Sequence, residues 1–492
     1  MYLGIDLGTT YSAVAWINGQ GEAEIIENRE GERVTPSVVY FQQDGEVLVG
    51  AMAKEYVLLD PDRVITTVKD DMGTDRIYKI DGVEYRPEDV SALILKKLVQ
   101  DAEERMGEKV ERLVVTIPAY FNDAQRVATM DAIRMAGLHC DQMINEPTAA
   151  ALSYAQKNDL GDGTILVYDL GGGTFDVSLI RQQGDTVKVL ATGGHKDLGG
   201  HFFDALICDS ISDQLLDEGI DLEFDPAYAP AMQELMLKAE QCKKRLSTLA
   251  QGEIVLMQVM PPKRFKITKE DYEGMILPFC MRTENKVRQV MEDAGLTFDD
   301  LSRVLLVGGS SRTPLVQKRL AELCGKEPSK NVNPDEAVAL GAALCAAKIK
   351  TIEDVCSRSI GVVTYDVRTD SEQHRAVIQR NSQLPAEGEK LFCTASQTDR
   401  LMLKISEAED NACDLNRAVL LNDYGIPLGR TVPEGTQVKV KMRLDENQIL
   451  KIWVELDKPF PFREEYRLDR RVNLEERDRI RKTAIIADIK VN

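Results

Sequence analysis

The feature that most constrains this chain is a short pattern that occurs twice. Gly4-Ile5-Asp6-Leu7-Gly8-Thr9-Thr10 returns as Val167-Tyr168-Asp169-Leu170-Gly171-Gly172-Gly173-Thr174-Phe175-Asp176. Each copy reads as an apolar strand, an Asp-Leu-Gly turn, a threonine and a second strand, Ser12-Ala13-Val14-Ala15-Trp16-Ile17 in the first and Val177-Ser178-Leu179-Ile180 in the second. A strand that turns straight back is a hairpin, unlike the strand-to-helix turns of P-loop and dinucleotide sites. Neither a G-x-x-x-x-G-K-[ST] run nor a helix-opening G-x-G-x-x-G occurs. One such turn is only a tight hairpin, whereas two in register point to a duplicated fold. Its glycines let backbone N–H groups approach phosphate oxygens, and its threonine adds a donor on the same rim. A carboxylate at the strand end repels phosphate, but it can hold Mg²⁺ through the ion's water shell. Two facing hairpins would therefore grip a polyphosphate from both sides, with Asp6, Asp169 and Asp176 around one magnesium. A polyphosphate carrying magnesium, such as Mg-ATP, is the expected ligand.

Composition excludes several other functions. At 492 residues the chain has room for roughly three domains. Lys and Arg number 61 against 81 Asp and Glu, and the resulting charge of -20 repels nucleic acid and anionic membrane surfaces. No apolar run reaches the length of a membrane span, and the N-terminus lacks the pattern of an export signal, so a cytoplasmic location is expected. Nine scattered cysteines without a C-x-x-C pair read as reduced packing residues.

Along the chain, strand and helix signals alternate up to about residue 350 and then give way to short alternating β segments. The division expected is 1–350 for the nucleotide-binding domain, 351–357 for a linker, 358–470 for a β-rich sandwich-like domain and 471–492 for a C-terminal tail. An Ala-rich helix over 336–349 closes the first part. Val438, Val440, Met442 and Leu444 alternate with charged residues, and Leu450, Ile452, Val454 and Leu456 follow, which predicts a hairpin with one buried face. The spacing over 474–489 predicts one final helix. Within the first part, Val304 to Val307 run into Gly308-Gly309-Ser310-Ser311-Arg312, a strand and turn suited to bringing a nucleoside against backbone. Strands ending at Pro118 and Pro147 complete the set, and Glu146 stands at the tip of the second.

Together, 4–10, Lys69, 116–126, 145–151, 169–176, 307–312 and 333–343 resemble the seventy-kilodalton heat-shock (DnaK-type) chaperones. The likeness is specific over 1–350. It is weaker over 358–470, where Ala376-Val377-Ile378-Gln379-Arg380-Asn381 and the 438–456 hairpin resemble the β part of the peptide-binding domain. The resemblance implies an α/β, actin-like ATPase domain of duplicated ribonuclease-H-like halves, followed by the β-rich domain. It implies that Asp6, Asp169 and Asp176 hold the magnesium shell and that Thr9, Thr10, Gly171, Gly172, Gly173 and Thr174 contact phosphate, with Gly199 and Gly200 on the rim. Lys69 would face the γ-phosphate and the attacking water, with Glu146 beside it. The nucleoside would lie between Gly308, Gly309, Ser310 and Arg312 on one side and Glu240, Lys243, Lys244 and Ser247 on the other, with Asp335 close by. The spacing of that second group puts it on one helix face. Pro118, Arg126 and Pro147 match positions that link nucleotide state to interdomain docking.

The chain also departs from the family pattern. Its linker lacks the leucine-rich acidic run that the family docks on the ATPase domain. Gln142 replaces a basic residue used to contact a J-domain partner, and His201-Phe202 replace two acidic residues after Gly199-Gly200. Gln448 replaces a hairpin glycine, and one final helix is too short for a peptide lid. The leading expectation is an ATP-driven chaperone that binds unfolded polypeptide, with a nucleotide-exchange factor as a further partner. An actin-like nucleotide-switch scaffold with one specific partner is the alternative, and a small-molecule kinase is a weaker third.

Overall fold

The computed structural model describes residues 1–157, 162–184, 186–329, 333–349, 351–366, 368–445, 448–456, 461–467 and 476–492. The repeat is a duplication in three dimensions. In the first hairpin Asp6 lies opposite Ala13, and in the second Asp169 lies opposite Asp176, so the two turns close at the same spacing. Each hairpin anchors one sheet. The first sheet runs in the order Cys140–Asn145, Arg112–Ile117, Tyr2–Asp6, Tyr11–Ile17, Ala23–Ile25. The second runs Leu301–Val307, Gly163–Leu170, Phe175–Gln183, Thr186–His195, Thr351–Glu353. In both, the strand that enters the turn pairs antiparallel with its hairpin mate and parallel with a later strand. These central strands are buried on both faces, which is why they read as unbroken apolar runs.

Two alanine-rich helices, Glu146–Lys157 and Ala337–Ala346, fill the space between the sheets. Their small side chains permit a crossing so close that a Cβ on Gly341 would stand 1.7 Å from the Ala149 carbonyl oxygen. The second helix is shorter than the expected 336–349 because the chain turns out of it at Lys348, which has φ 55. Residues 351–353, expected in a linker, add a parallel strand to the second sheet.

Beyond them lie a five-stranded and a four-stranded antiparallel sheet. Their inner faces meet in one core, with Ile360, Ile405 and Ile426 on one side and Val440, Met442, Ile452 and Val454 on the other. The expected hairpin is present as Gln437–Leu444 and Leu450–Leu456, with Met442 opposite Ile452. Gln448, which stands where the family has a turn glycine, takes φ 59. The last helix, Glu476–Asp488, packs on Pro87–Met106 and Asp123–Met135 of the first lobe. There Ile486 and Val491 join the lobe core, and Val47 and Asn492 exchange backbone hydrogen bonds with the tail, Val47 donating to Lys490 at 3.0 Å and Asn492 donating to Val47 at 2.9 Å.

Candidate nucleotide-binding cleft

Between the two lobes lies a cavity of about 810 Å³. Of the residues singled out from sequence, it is lined by Asp6, Thr9, Thr10, Lys69, Glu146, Asp169, Gly171, Gly172, Thr174, Gly200, Glu240, Lys243, Lys244, Ser247, Gly308, Gly309, Ser310, Arg312 and Asp335. Three others sit behind this wall. Gly173 packs on the Asp70 carboxylate and Gly199 on the Gly172 carbonyl. Asp176 is 1% exposed and accepts the Tyr120 N–H at 2.9 Å.

The chemistry is concentrated at the floor. Lys69 arrives on a short 3₁₀ turn, Val68–Asp71, and its Nζ donates to Glu146 Oε1 at 2.5 Å. Glu146 opens its helix, where a carboxylate is favoured by the N-terminal end of the dipole. Burial alone would lower the Lys69 ammonium, but the charges of Glu146, Asp6 and Asp169 outweigh it and hold the group above its ordinary value. The neighbouring acids show the opposite stress. Burial, reinforced by Glu146, pushes Asp6 and Asp176 up to about 7, and raises Asp169 as well. A site with this excess of buried carboxylate is matched by a cation, and among the described residues Asp176 Oδ2 is buried without a hydrogen-bond partner. Among the described residues no three His, Cys, Asp or Glu side chains converge to ligate a metal directly. The residues therefore fit magnesium held through its own waters.

The two turns meet across the cleft. A Cβ on Gly172 would fall 2.2 Å from Thr10 Oγ1, so only glycine lets the second turn come this close to the first. The first turn is braced from behind by Ser37, whose hydroxyl donates to the Gly8 carbonyl at 2.7 Å. The upper wall is the helix Ala229–Leu246 with its C-cap Ser247, facing the turn Gly309–Arg312. Glu240 accepts from Lys244 at 2.7 Å, and although burial pushes its carboxyl up, that bond and the nearby lysines bring it down to about 2. Arg312 is held by Asn333 and Asp335 at 2.9 and 2.7 Å.

Comparison with known proteins bears on this arrangement. The family model described as Hsp70 protein matches residues 2–479. The chain belongs to the Hsp70 family. The chaperone protein DnaK of Thermotoga neapolitana is 39% identical over 469 residues, covering 92% of this chain and 77% of the relative. DnaK of Thermotoga maritima gives the same figures, and that of Thermosipho melanesiensis is 39% identical over 468 residues. The two lobes and the paired sheets are the actin-like ATPase fold and β-sandwich of an Hsp70. Hsp70 proteins are ATP-dependent chaperones, so the scaffold alternative is not favoured.

Sequence reasoning missed several groups that share this Hsp70 cleft. Tyr11, Asp204 and Gln317 line it, and Lys54 reaches Glu240 at 3.4 Å from the opposite lobe. Asp204 was legible in principle, since it stands one helical turn after Gly200 and pairs with Lys243 at 2.7 Å. Lys54 carried no local signal, because its partner is far away in the chain. Arg126 and Asn145 lie outside the cleft, at the segment leading to the sandwich. Arg126 donates to the Ala119 carbonyl and to Ser357 Oγ, both at 3.2 Å, and Asn145 Nδ2 donates to Asp354 Oδ2 at 2.8 Å. No helix among the described residues is long and apolar enough to cross a membrane.

Proposed function

We propose that this chain binds Mg-ATP in the cleft, hydrolyses it there, and uses the nucleotide state to control its hold on unfolded polypeptide. The observation that carries the reading is the buried Lys69–Glu146 pair, set at 2.5 Å between the two duplicated turns and beside Asp6 and Asp169. Phosphoryl transfer to water requires little covalent chemistry from a protein, and depends on position and on charges placed where negative charge develops. Asp6, Asp169 and Asp176 would hold magnesium through its waters, and the ion would neutralise phosphate charge. Lys69 brings a fixed positive charge to the γ-phosphate, and Glu146 aims that ammonium by accepting a hydrogen bond from it. Thr9, Thr10 and Thr174 offer hydroxyl donors on the rim. The nucleoside lies between Gly308, Gly309, Ser310 and Arg312 and the Glu240, Lys243, Lys244 and Ser247 face, within reach of Asp335. A nucleotide-exchange factor belongs to the same reading.

The test is a nucleotide-dependent peptide-binding assay with turnover measured in parallel. Unfolded peptides are expected to stimulate hydrolysis and to dissociate faster when ATP replaces ADP. If every unfolded peptide leaves turnover unchanged while one specific partner copurifies, the chaperone reading fails.

A further inference from the structure

We propose that His201 is a phosphate-positioning residue of this cleft, holding the Thr10 hydroxyl across the gap between the two duplicated turns so that it points at a bound polyphosphate. The inference rests on the reading of the cleft as a Mg-ATP site. His201 stands in the first turn of the helix Gly200–Leu216 in the second lobe, whereas Thr10 belongs to the hairpin of the first. Its Nε2 lies 3.3 Å from Thr10 Oγ1, so the contact spans the lobes at the phosphate end. Its backbone N–H donates to the Gly172 carbonyl at 2.8 Å, which fixes the start of its helix to the second turn. The space above Gly172 is closed by the same two groups, with a Cβ there 2.2 Å from Thr10 Oγ1 and 3.2 Å from His201 Nε2.

A neutral imidazole meets a hydroxyl in two ways. With the proton on Nδ1, Nε2 accepts the Thr10 hydroxyl and turns it away from the cleft. With the proton on Nε2, the ring donates to Thr10 Oγ1 and frees the hydroxyl proton for a phosphate oxygen. An anion in the cleft selects the second arrangement and also favours a doubly protonated ring. The charged groups facing His201 are Lys243 and Glu240 from the helix Ala229–Leu246 and Lys54 from Ala51–Glu55, with Asp204 one turn along its own helix. Burial followed by Lys243 brings the imidazole down to about 4, so it is neutral at pH 7. A polyphosphate beside it acts in the opposite sense. Nucleotide binding is then linked to proton uptake, and affinity rises as pH falls through the bound-state value.

The experiment uses the full chain and its His201→Ala and His201→Gln variants. Mg-ATP and Mg-ADP dissociation constants are measured from pH 6 to 8, with thermal melts as the control for folding. The imidazole resonances are followed by NMR, which four histidines keep tractable. His201→Ala is expected to weaken Mg-ATP about tenfold, the value of one hydrogen bond to a charged group. His201→Gln, which keeps a donor but cannot be charged, should recover most of that affinity yet lose the extra tightening of the wild type at pH 6. Addition of Mg-ADP should move the His201 resonance toward the protonated form. Affinities within twofold of wild type for a folded His201→Ala at every pH would overturn the proposal. So would a Gln variant that keeps the full pH dependence. Failure of the wild type to bind Mg-ATP at all would instead overturn the reading of the cleft, and this proposal with it.

Discussion

At the scale of single residues, the cleft is a balance of one buried ammonium against several buried carboxylates. Lys69 is 7% exposed and Glu146 8%, so removing either leaves a buried charge without its nearest partner. Lys69→Ala is expected to reduce single-turnover hydrolysis by roughly 10² to 10³ while leaving Mg-ATP affinity within a few fold, because in the proposed reaction its charge acts on the developing γ-phosphate charge. Single-turnover hydrolysis at the wild-type rate in this variant would remove Lys69 from the mechanism. The turn residues were legible because duplication writes their chemistry twice. Lys69 was legible only through family likeness, since nothing in its own neighbourhood marks it. Groups such as Lys54 and His201 enter the site through contacts between distant segments, and no local pattern encodes such a meeting.

Among the elements, the close crossing of the two alanine-rich helices is the joint between the lobes. Gly341→Ala places a methyl against the Ala149 carbonyl, and the helices must move apart. A cost of about 2 kcal/mol or more is expected, read as a lowered midpoint in denaturant unfolding of the ATPase lobes. The C-terminal helix is the second informative element. Lys482 pairs with the buried Asp89, and Lys96 Nζ donates to the carbonyls of Ile486, Ala487 and Ile489 at 2.9, 2.9 and 2.7 Å, covering the helix end. Ile486→Ala should cost ~3 kcal/mol by opening the lobe core, and should expose the Val47 and Val49 amides to hydrogen exchange. Unchanged protection at those amides would show that the tail does not seat there. The spacing over 474–489 disclosed a helix but not its berth. Arg and Glu interleaved with Ile read as an amphipathic surface, and the surface it covers is built from residues more than three hundred positions away.

For the whole molecule, the sandwich rests on both lobes. Glu407 accepts the Asp123 N–H of the first lobe at 3.2 Å, while Glu409 pairs with Lys286 of the second at 3.2 Å and Arg380 pairs with Asp293. The joining segment lacks the family's leucine-rich run, and it docks through Val355, buried in the core between the sheets, together with polar contacts of Asp354 to Asn145 and of Ser357 to Arg126. Burial pushes the Asp354 carboxyl up from 3.8 to about 6, since its bonds to Val355, to Asn145 and the Arg126 charge only partly offset desolvation. A carboxyl raised on docking stabilises the docked state fully below its free value and loses that contribution as pH rises through 6. Protease cleavage within 351–358 should therefore be slower at pH 5 than at pH 7.5, and Asp354→Asn should flatten the difference. Equal cleavage of the wild type at both values would exclude this linkage.

The seat of the C-terminal tail has one more consequence. The sandwich leaves the second lobe through the strand Thr351–Glu353, and the chain then comes home to the first lobe at Val47 and Val49. The β-domain is thus strung between the two lobes as a closed loop, with a mooring on each bank. A detached sandwich would stay at high local concentration near its berth, so its excursions would be short. Any scissoring of the lobes about the nucleotide would change the distance between the two moorings.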